Sequence, residues 1–276
     1  VAQSIQATDY AFLRIFLKER IGHELGDGKE YLVVSRLVPV VETFRLETLK
    51  ALFDRLRRTR DLLLEDAICE AMVTCETSFF RNPSVFERLR RSAFPTLLTT
   101  RASERRLRIW CAGCSTGQEP YSVAMLLHEH FPESRAWDVK ILATDVSERV
   151  LKAAALGEFS DAEVKRGLGT DYLRTYFSKR NNTWVVEPVI RKRIHFEKFN
   201  LMSPSFHTSE FDIILIRNVL IYFTDEVRAR IFASLRRALR DDGFLFLGES
   251  ETILGQGDEF TFGEDGMDYY RPVKTI

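Results

Sequence analysis

The chain has 276 residues, 45% of them apolar and 29% charged, which excludes a disordered segment or a small disulfide scaffold and leaves room for one or two domains with real cores. Lys and Arg number 40 against 40 Asp and Glu, so a globally basic nucleic-acid coat is excluded as well. Four cysteines, at 69, 75, 111 and 114, are too few and too clustered to staple a secreted fold of this size, and a reducing, cytoplasmic setting is expected.

The first residues, VAQSIQATDY, lack the basic stretch followed by an apolar stretch that marks a secretory signal. Up to about residue 73 the pattern is helical. Thr8 is placed to cap a helix carrying Phe12, Leu13, Phe16 and Leu17 on one face, and glycines 22, 26 and 28 break it. A second helix is expected from Lys29 to Phe44, a third through LETLKALFDRLRR and a fourth through LLLEDAICEAM, together a small helical bundle. Asn82-Pro83 reads as a cap with proline at the first helical position, opening a helix through FERLRRSAF.

From Leu107 short apolar runs alternate with amphipathic helices, which predicts an α/β fold with parallel strands. Strands are expected at 107–111, 139–145, 193–200, 211–218 and 243–248. Thr224, with Asp225 and Glu226 behind it, predicts a capped helix along Val227, Ile231, Leu235 and Leu239 that stops at Asp242-Gly243. Residues 171–193 break the alternation with a turn signal and short β-branched runs, and are expected to form a small antiparallel insertion. The apolar stretch from Phe211 to Phe223 is interrupted by Asp212, Arg217 and Asn218 and falls short of the roughly 20 residues that cross a bilayer, so no membrane insertion is expected.

The richest segment is IWCAGCSTGQEPYSVAM, a strand running through Gly113 and Gly117 into a helix. Glycine is needed where backbone turns sharply beside a ligand, and the helix start offers unpaired N–H groups. The loop is neither a dinucleotide fingerprint nor a phosphate-binding loop with its lysine. A second strand ends in Thr144-Asp145, where a carboxylate is placed to accept both ribose hydroxyls; its alternative role is to cap the helix that begins near Ser147. Together these point to an adenosine-containing cofactor, with S-adenosylmethionine favoured over NAD or ATP. Cys111 and Cys114 sit inside the glycine loop without a second pair at knuckle spacing, and neither they nor the five histidines read as a metal site.

TCETSFFR (74–81), CAGCSTGQEPYS (111–122), ATD (143–145), FNL (199–201), IRNVLIYF (216–223) and LFLGESE (245–251) occur in the order and approximate spacing of the CheR-type chemotaxis receptor methyltransferases, and the chain resembles that family over nearly its whole length. The resemblance implies an all-α receptor-docking domain over 1–73 and a class I, Rossmann-like S-adenosylmethionine-dependent methyltransferase domain over 74–276. It implies methyl transfer to glutamate carboxylates on the cytoplasmic helices of a methyl-accepting chemoreceptor, with S-adenosylhomocysteine as product and no metal. Carried over by position, Arg81 and Tyr222 are the expected catalytic pair, Arg81 also touching the cofactor. Cys75, Thr77, Gly113, Glu119, Asp145, Asn200, Leu201, Asn218 and Val219 are expected to hold it. A monomer acting on receptor and not on nucleic acid is expected.

Each assignment has a plainer alternative: Arg81 a surface charge, Tyr222 a core aromatic, Glu119 an acid complementing its helix N-terminus. Cys75 stands where the family commonly has asparagine, and Glu249 where it often has histidine. The stretch between Phe177 and Arg191 is short beside relatives that dock a receptor's C-terminal pentapeptide, so tether-independent recognition is expected. Arg45, Lys50, Arg55, Arg57, Arg58 and Arg60 oppose only Glu47 and Asp54. Arg55, Arg57 and Arg58 are therefore expected to meet the acidic helices of a receptor, the alternative being a solvated helix face.

Overall fold

The computed structural model describes residues 4–203, 210–253, 255, 259–263 and 269–273; His207, one of the five histidines, lies outside them. The chain divides into two compact units, one running to Thr74 and including Tyr222–Val227, the other made of Cys75–Ile221 and the residues from Arg228 onward.

The first unit contains four helices, α1 (Ala7–Ile21), α2 (Glu30–Thr43), α3 (Leu49–Arg58) and α4 (Leu62–Met72), each close to its expected bounds. Leu13, Leu17, Val33, Leu37, Leu52, Phe53, Leu64, Ile68 and Met72 are fully buried, at the three- and four-residue spacings that turn one face of each helix inward. Thr48 accepts from the Ala51 N–H and Asp61 from the Leu64 N–H, each at 3.1 Å, capping α3 and α4. The expected cap of α1 is not formed. Thr8 lies exposed within the first turn, and the N-cap residue Gln6 makes no side-chain cap bond. What the first turn uses is Asp9, whose buried carboxylate accepts from Arg57 at 2.6 Å while that guanidinium lies 4.6 Å over the Phe12 ring.

That contact bears on the arginines expected to dock a receptor. Arg57 holds Asp9, and Arg55 pairs with Asp61 and covers the Phe44 ring at 5.4 Å, so both also make contacts within the unit while their side chains stay 32% and 40% exposed. Arg58 donates to the Asp54 carbonyl at 3.3 Å and is exposed.

The second unit opens with α5 (Pro83–Arg88), a π turn at Leu89–Ala93 and α6 (Phe94–Thr100). Pro95 accounts for the π turn, since its ring and missing N–H cannot continue an α-helical ladder. Asn82 does not cap α5 with its side chain; at φ +60° its Oδ1 accepts from Arg217 instead. Then follow β1 (Arg106–Ala112), α7 (Gln118–His130), β2 (Asp138–Asp145), α8 (Glu148–Leu156), β3 (Glu158–Ser160), α9 (Asp161–Lys165) and α10 (Thr170–Tyr176). After these come β4 (Phe177–Arg180), β5 (Thr183–Val186), α11 (Pro188–Arg191), β6 (Ile194–Lys198), β7 (Phe211–Ile216), α12 (Asp225–Ala238), β8 (Leu239–Leu247), β9 (Phe260–Phe262) and β10 (Tyr270–Pro272).

Strands order as β6-β2-β1-β7-β8-β10-β9, parallel from β6 to β8, with β10 antiparallel to both its neighbours. Every residue of β7 is buried, as a central parallel strand covered on both faces requires. A separate antiparallel sheet, β3-β5-β4, takes its third strand from Glu158–Ser160, ahead of the expected insertion, while 170–176 is helical. The helix begun at Asp225 ends at Ala238, four residues short of the expected stop, because Leu239 is fully buried and pairs with Phe211 as the start of β8. Thr224 does not serve as its cap either: its buried hydroxyl has no partner among the described residues. At the opposite strand ends Arg101 donates to the buried Asp212 at 2.8 Å and forms a second pair with Asp242.

Replacing Arg57 with Ala strands a buried carboxylate and should cost about 2 kcal/mol, less than a fully buried pair because Arg57 is partly exposed. Arg58→Ala should stay within about 0.5 kcal/mol. Denaturant unfolding of the two variants checks the contrast.

Candidate functional site

The parallel register aligns the carboxyl ends of β2, β1 and β7, opposing Ala112 to both Thr144 and Ile216. Open α/β sheets bind ligands along this edge, and the loops here are tied to one another. Beyond β1 the chain turns at Gly113, φ +75°, where an added Cβ would stand 2.4 Å from the Val219 side chain. The N–H groups of Gly113 and Cys114 both donate to the Thr144 carbonyl, at 2.8 and 2.9 Å. Ser115, itself left-handed at φ +51°, donates its N–H to Asp145 Oδ2 at 2.9 Å and its hydroxyl to the Cys75 carbonyl at 2.8 Å. Asp145 Oδ1 accepts from the Ser147 N–H at 3.0 Å, while Ser147 itself caps α8. Asp145 therefore fastens the glycine loop to the β2–α8 turn, and the Phe199 N–H on its own carbonyl brings Asn200 and Leu201 beside it.

Glu119, in the first turn of α7, meets Arg217 at 2.8 Å. The Arg217 side chain is almost wholly buried and also donates to the Arg81 carbonyl at 2.5 Å and to Asn82 Oδ1 at 2.7 Å. Burial pushes the Glu119 carboxyl up, and the neighbouring guanidinium opposes that shift. The Cys111 thiol, hydrogen-bonded to Glu119, is pushed up by burial first and by the nearby carboxylate second, and burial does the same to Cys114. Both buried thiols are held in their protonated form near neutral pH, as suits packing within the loop.

Asn218, at φ +58°, and Val219 follow β7. Their N–H groups and that of Leu220 all donate to the Glu251 carboxylate, at 2.8, 2.8 and 2.7 Å, and the Gly248 N–H adds a fourth bond at 2.7 Å. A Cβ on Gly248 would lie 2.6 Å from that carboxylate. Reasoning from sequence passed over both Glu251 and Arg217. For Arg217 a signal existed, since a cation directly after the apolar run Ile213–Ile216 needs a buried partner.

Arg81 is half-buried, with Nη1 on the Glu76 carbonyl at 3.0 Å. Cys75 and Thr77 border a cavity of about 400 Å³ with Thr116, Gln118, Arg149 and Arg166. Tyr222 packs within the helical unit. The structure thus brings Gly113, Asp145, Asn200, Leu201, Asn218 and Val219 to one sheet edge, with Glu119 at the adjoining helix start. An adenosyl cofactor suits that set: a carboxylate with fixed orientation at the end of β2, a glycine turn beside it, and a buried acid behind.

Glu251→Gln leaves main-chain N–H groups facing an amide that cannot accept from all of them, at about 1–3 kcal/mol for each stranded donor. Calorimetric titration with S-adenosylmethionine should show affinity lowered roughly tenfold or more.

A family model described as the CheR methyltransferase SAM-binding domain matches residues 75–266, and the CheR methyltransferase all-alpha domain matches 8–68. Chemotaxis protein methyltransferase 1 of Pseudomonas aeruginosa is 38% identical over 257 residues, spanning 91% of this chain and 93% of that protein. Chemotaxis protein methyltransferase Cher2 of Pseudomonas putida is 37% identical over 257 residues, with the same coverage. The chemotaxis protein methyltransferase of Listeria monocytogenes is 33% identical over 250 residues, spanning 91% and 92%. With both of its units matched in order, this chain belongs to the CheR methyltransferase family.

Proposed function

We propose that the protein is a protein-glutamate O-methyltransferase that esterifies glutamate side chains on the cytoplasmic helices of a chemoreceptor, as the names of its relatives suggest for chemotaxis. One observation carries the reading: the aligned ends of β2, β1 and β7 set Asp145, Gly113 and Asn218-Val219 side by side. When bound there, S-adenosylmethionine supplies a methyl group activated by a sulfonium and leaves as S-adenosylhomocysteine.

In this reading Asp145 accepts the ribose hydroxyls, its orientation already set by Ser115 and Ser147. Asn200, Leu201, Asn218 and Val219 line the adenosyl moiety, and Cys75, Thr77 and Glu119 lie toward the methionyl end. Arg81, which donates to the Glu76 carbonyl in the free protein, pairs with a carboxylate, either the cofactor's own or that of the incoming glutamate. Tyr222 stands beside the transferred methyl group.

A glutamate with an ordinary pKa near 4.3 is ionised at neutral pH, so the acceptor needs no general base. What the residues must supply is alignment, which can lower a barrier by roughly 7–11 kcal/mol. Docking falls to Arg55, Arg57 and Arg58 on α3, of which Arg57 and Arg58 are exposed while Arg55 and Arg57 also pair within their own unit. The protein acts as a soluble cytoplasmic monomer in this proposal, without nucleic acid or metal. No helix among the described residues is long and apolar enough to cross a membrane.

Incubation with tritiated S-adenosylmethionine and receptor cytoplasmic fragments should give label that base releases as methanol and that is lost when the acceptor glutamates are changed to glutamine. Arg58→Glu should raise the KM for receptor without changing cofactor affinity. Base-stable label would instead indicate a different acceptor group.

A further inference from the structure

α1 ends at the left-handed Gly22, and the next two residues turn toward Tyr222. The half-buried His23 ring has its centroid 5.3 Å from that of Tyr222, the planes inclined at 48°. The same two residues also hold the tyrosine main chain. Glu24 donates its N–H to the Tyr222 carbonyl at 2.8 Å, and His23 forms an isolated antiparallel bridge with Phe223.

Tyr222 closes a 3-10 turn of three residues, Leu220–Tyr222, too short to fix a side chain by itself. The segment that braces it is itself anchored. Leu25 is buried, the Tyr10 hydroxyl donates to the Gly26 carbonyl at 2.5 Å, and the Lys29 N–H donates back to that hydroxyl at 3.3 Å. A large ring resting on a fixed neighbour, with its main chain pinned on the same side, has few orientations left.

We propose that His23 is a positioning residue for methyl transfer, its ring fixing the orientation of the Tyr222 side chain. The assignment rests on the reading of Tyr222 as the residue beside the methyl group. Burial, helped by the Arg36 guanidinium, holds the imidazole down to about 4, so it is neutral at pH 7 and sets no cation beside a tyrosine meant to face a sulfonium.

In the full chain, His23→Ala should lower kcat by roughly tenfold or more while the Kd for S-adenosylmethionine stays within about twofold. His23→Phe, which keeps a flat ring, should restore kcat to within about threefold of the wild type. A second readout does not depend on turnover. With 3-fluorotyrosine in place of the 8 tyrosines and the 222 resonance assigned by Tyr222→Phe, the wild type and His23→Phe should each give one fluorine line for that ring, and His23→Ala a broadened or split one. Unchanged kcat and an unchanged fluorine line in His23→Ala would overturn the positioning role. So would equal losses of kcat in both variants accompanied by loss of cofactor binding, which would mark a merely structural residue. A wild type that methylates no glutamate but shows the predicted fluorine pattern overturns the proposed acceptor and supports the positioning of Tyr222.

Discussion

At the carboxyl edge of the sheet, main-chain N–H groups leave the strands with no ladder partner, and carboxylates take them up. Glu251 accepts from Gly248, Asn218, Val219 and Leu220; Asp145 accepts from Ser115 and Ser147. A charged acceptor strengthens each bond, and a buried N–H left unpaired would cost about 1–3 kcal/mol. These two side chains set the shape of the loops along the edge, including the left-handed turns at Ser115 and Asn218. A binding surface of this kind is built before any ligand arrives, which spares binding the cost of ordering it.

Arg217 does for the side chains what Glu251 does for the main chain. It is nearly inaccessible, yet it joins Glu119, the Arg81 carbonyl and Asn82 in one network. Buried ion pairs of this kind are weak contributors to stability because desolvation opposes them. Its place here is better explained by geometry: one rigid, forked cation fixes the start of α7, the end of TCETSFFR and the end of β7 together. The Cys111 thiol, protonated and set against Glu119, completes the packing.

Most elements were legible because their periodicity is local. Helices α1 to α4 follow from spacings of three and four residues, and the five parallel strands from short apolar runs set between helical stretches. Caps and ends were less so. Thr8, Asn82 and Thr224 are sound cap types that do not cap; Asn82 lost that role to Arg217, and the end of α12 was set by the burial of Leu239 against β7. In the site, Gly113 and Asp145 were visible from strand-loop-helix logic alone, whereas most of the other residues came from the resemblance. Glu251 and Arg217 were missed because their partners lie far off in the chain, and no periodicity records such pairs. The basic run on α3 hid a partner for the same reason, since Asp9, which engages Arg57, belongs to α1.

Amide-resolved hydrogen exchange on the free protein, and then with saturating S-adenosylhomocysteine, tests most directly whether the edge is preformed. The N–H groups of Ser115, Ser147, Asn218, Val219 and Leu220 should exchange slowly without ligand, as bonded amides do, and more slowly still with it. Free-state exchange at the rates of unstructured chain, with protection arising only on binding, would contradict a surface built in advance by Asp145 and Glu251.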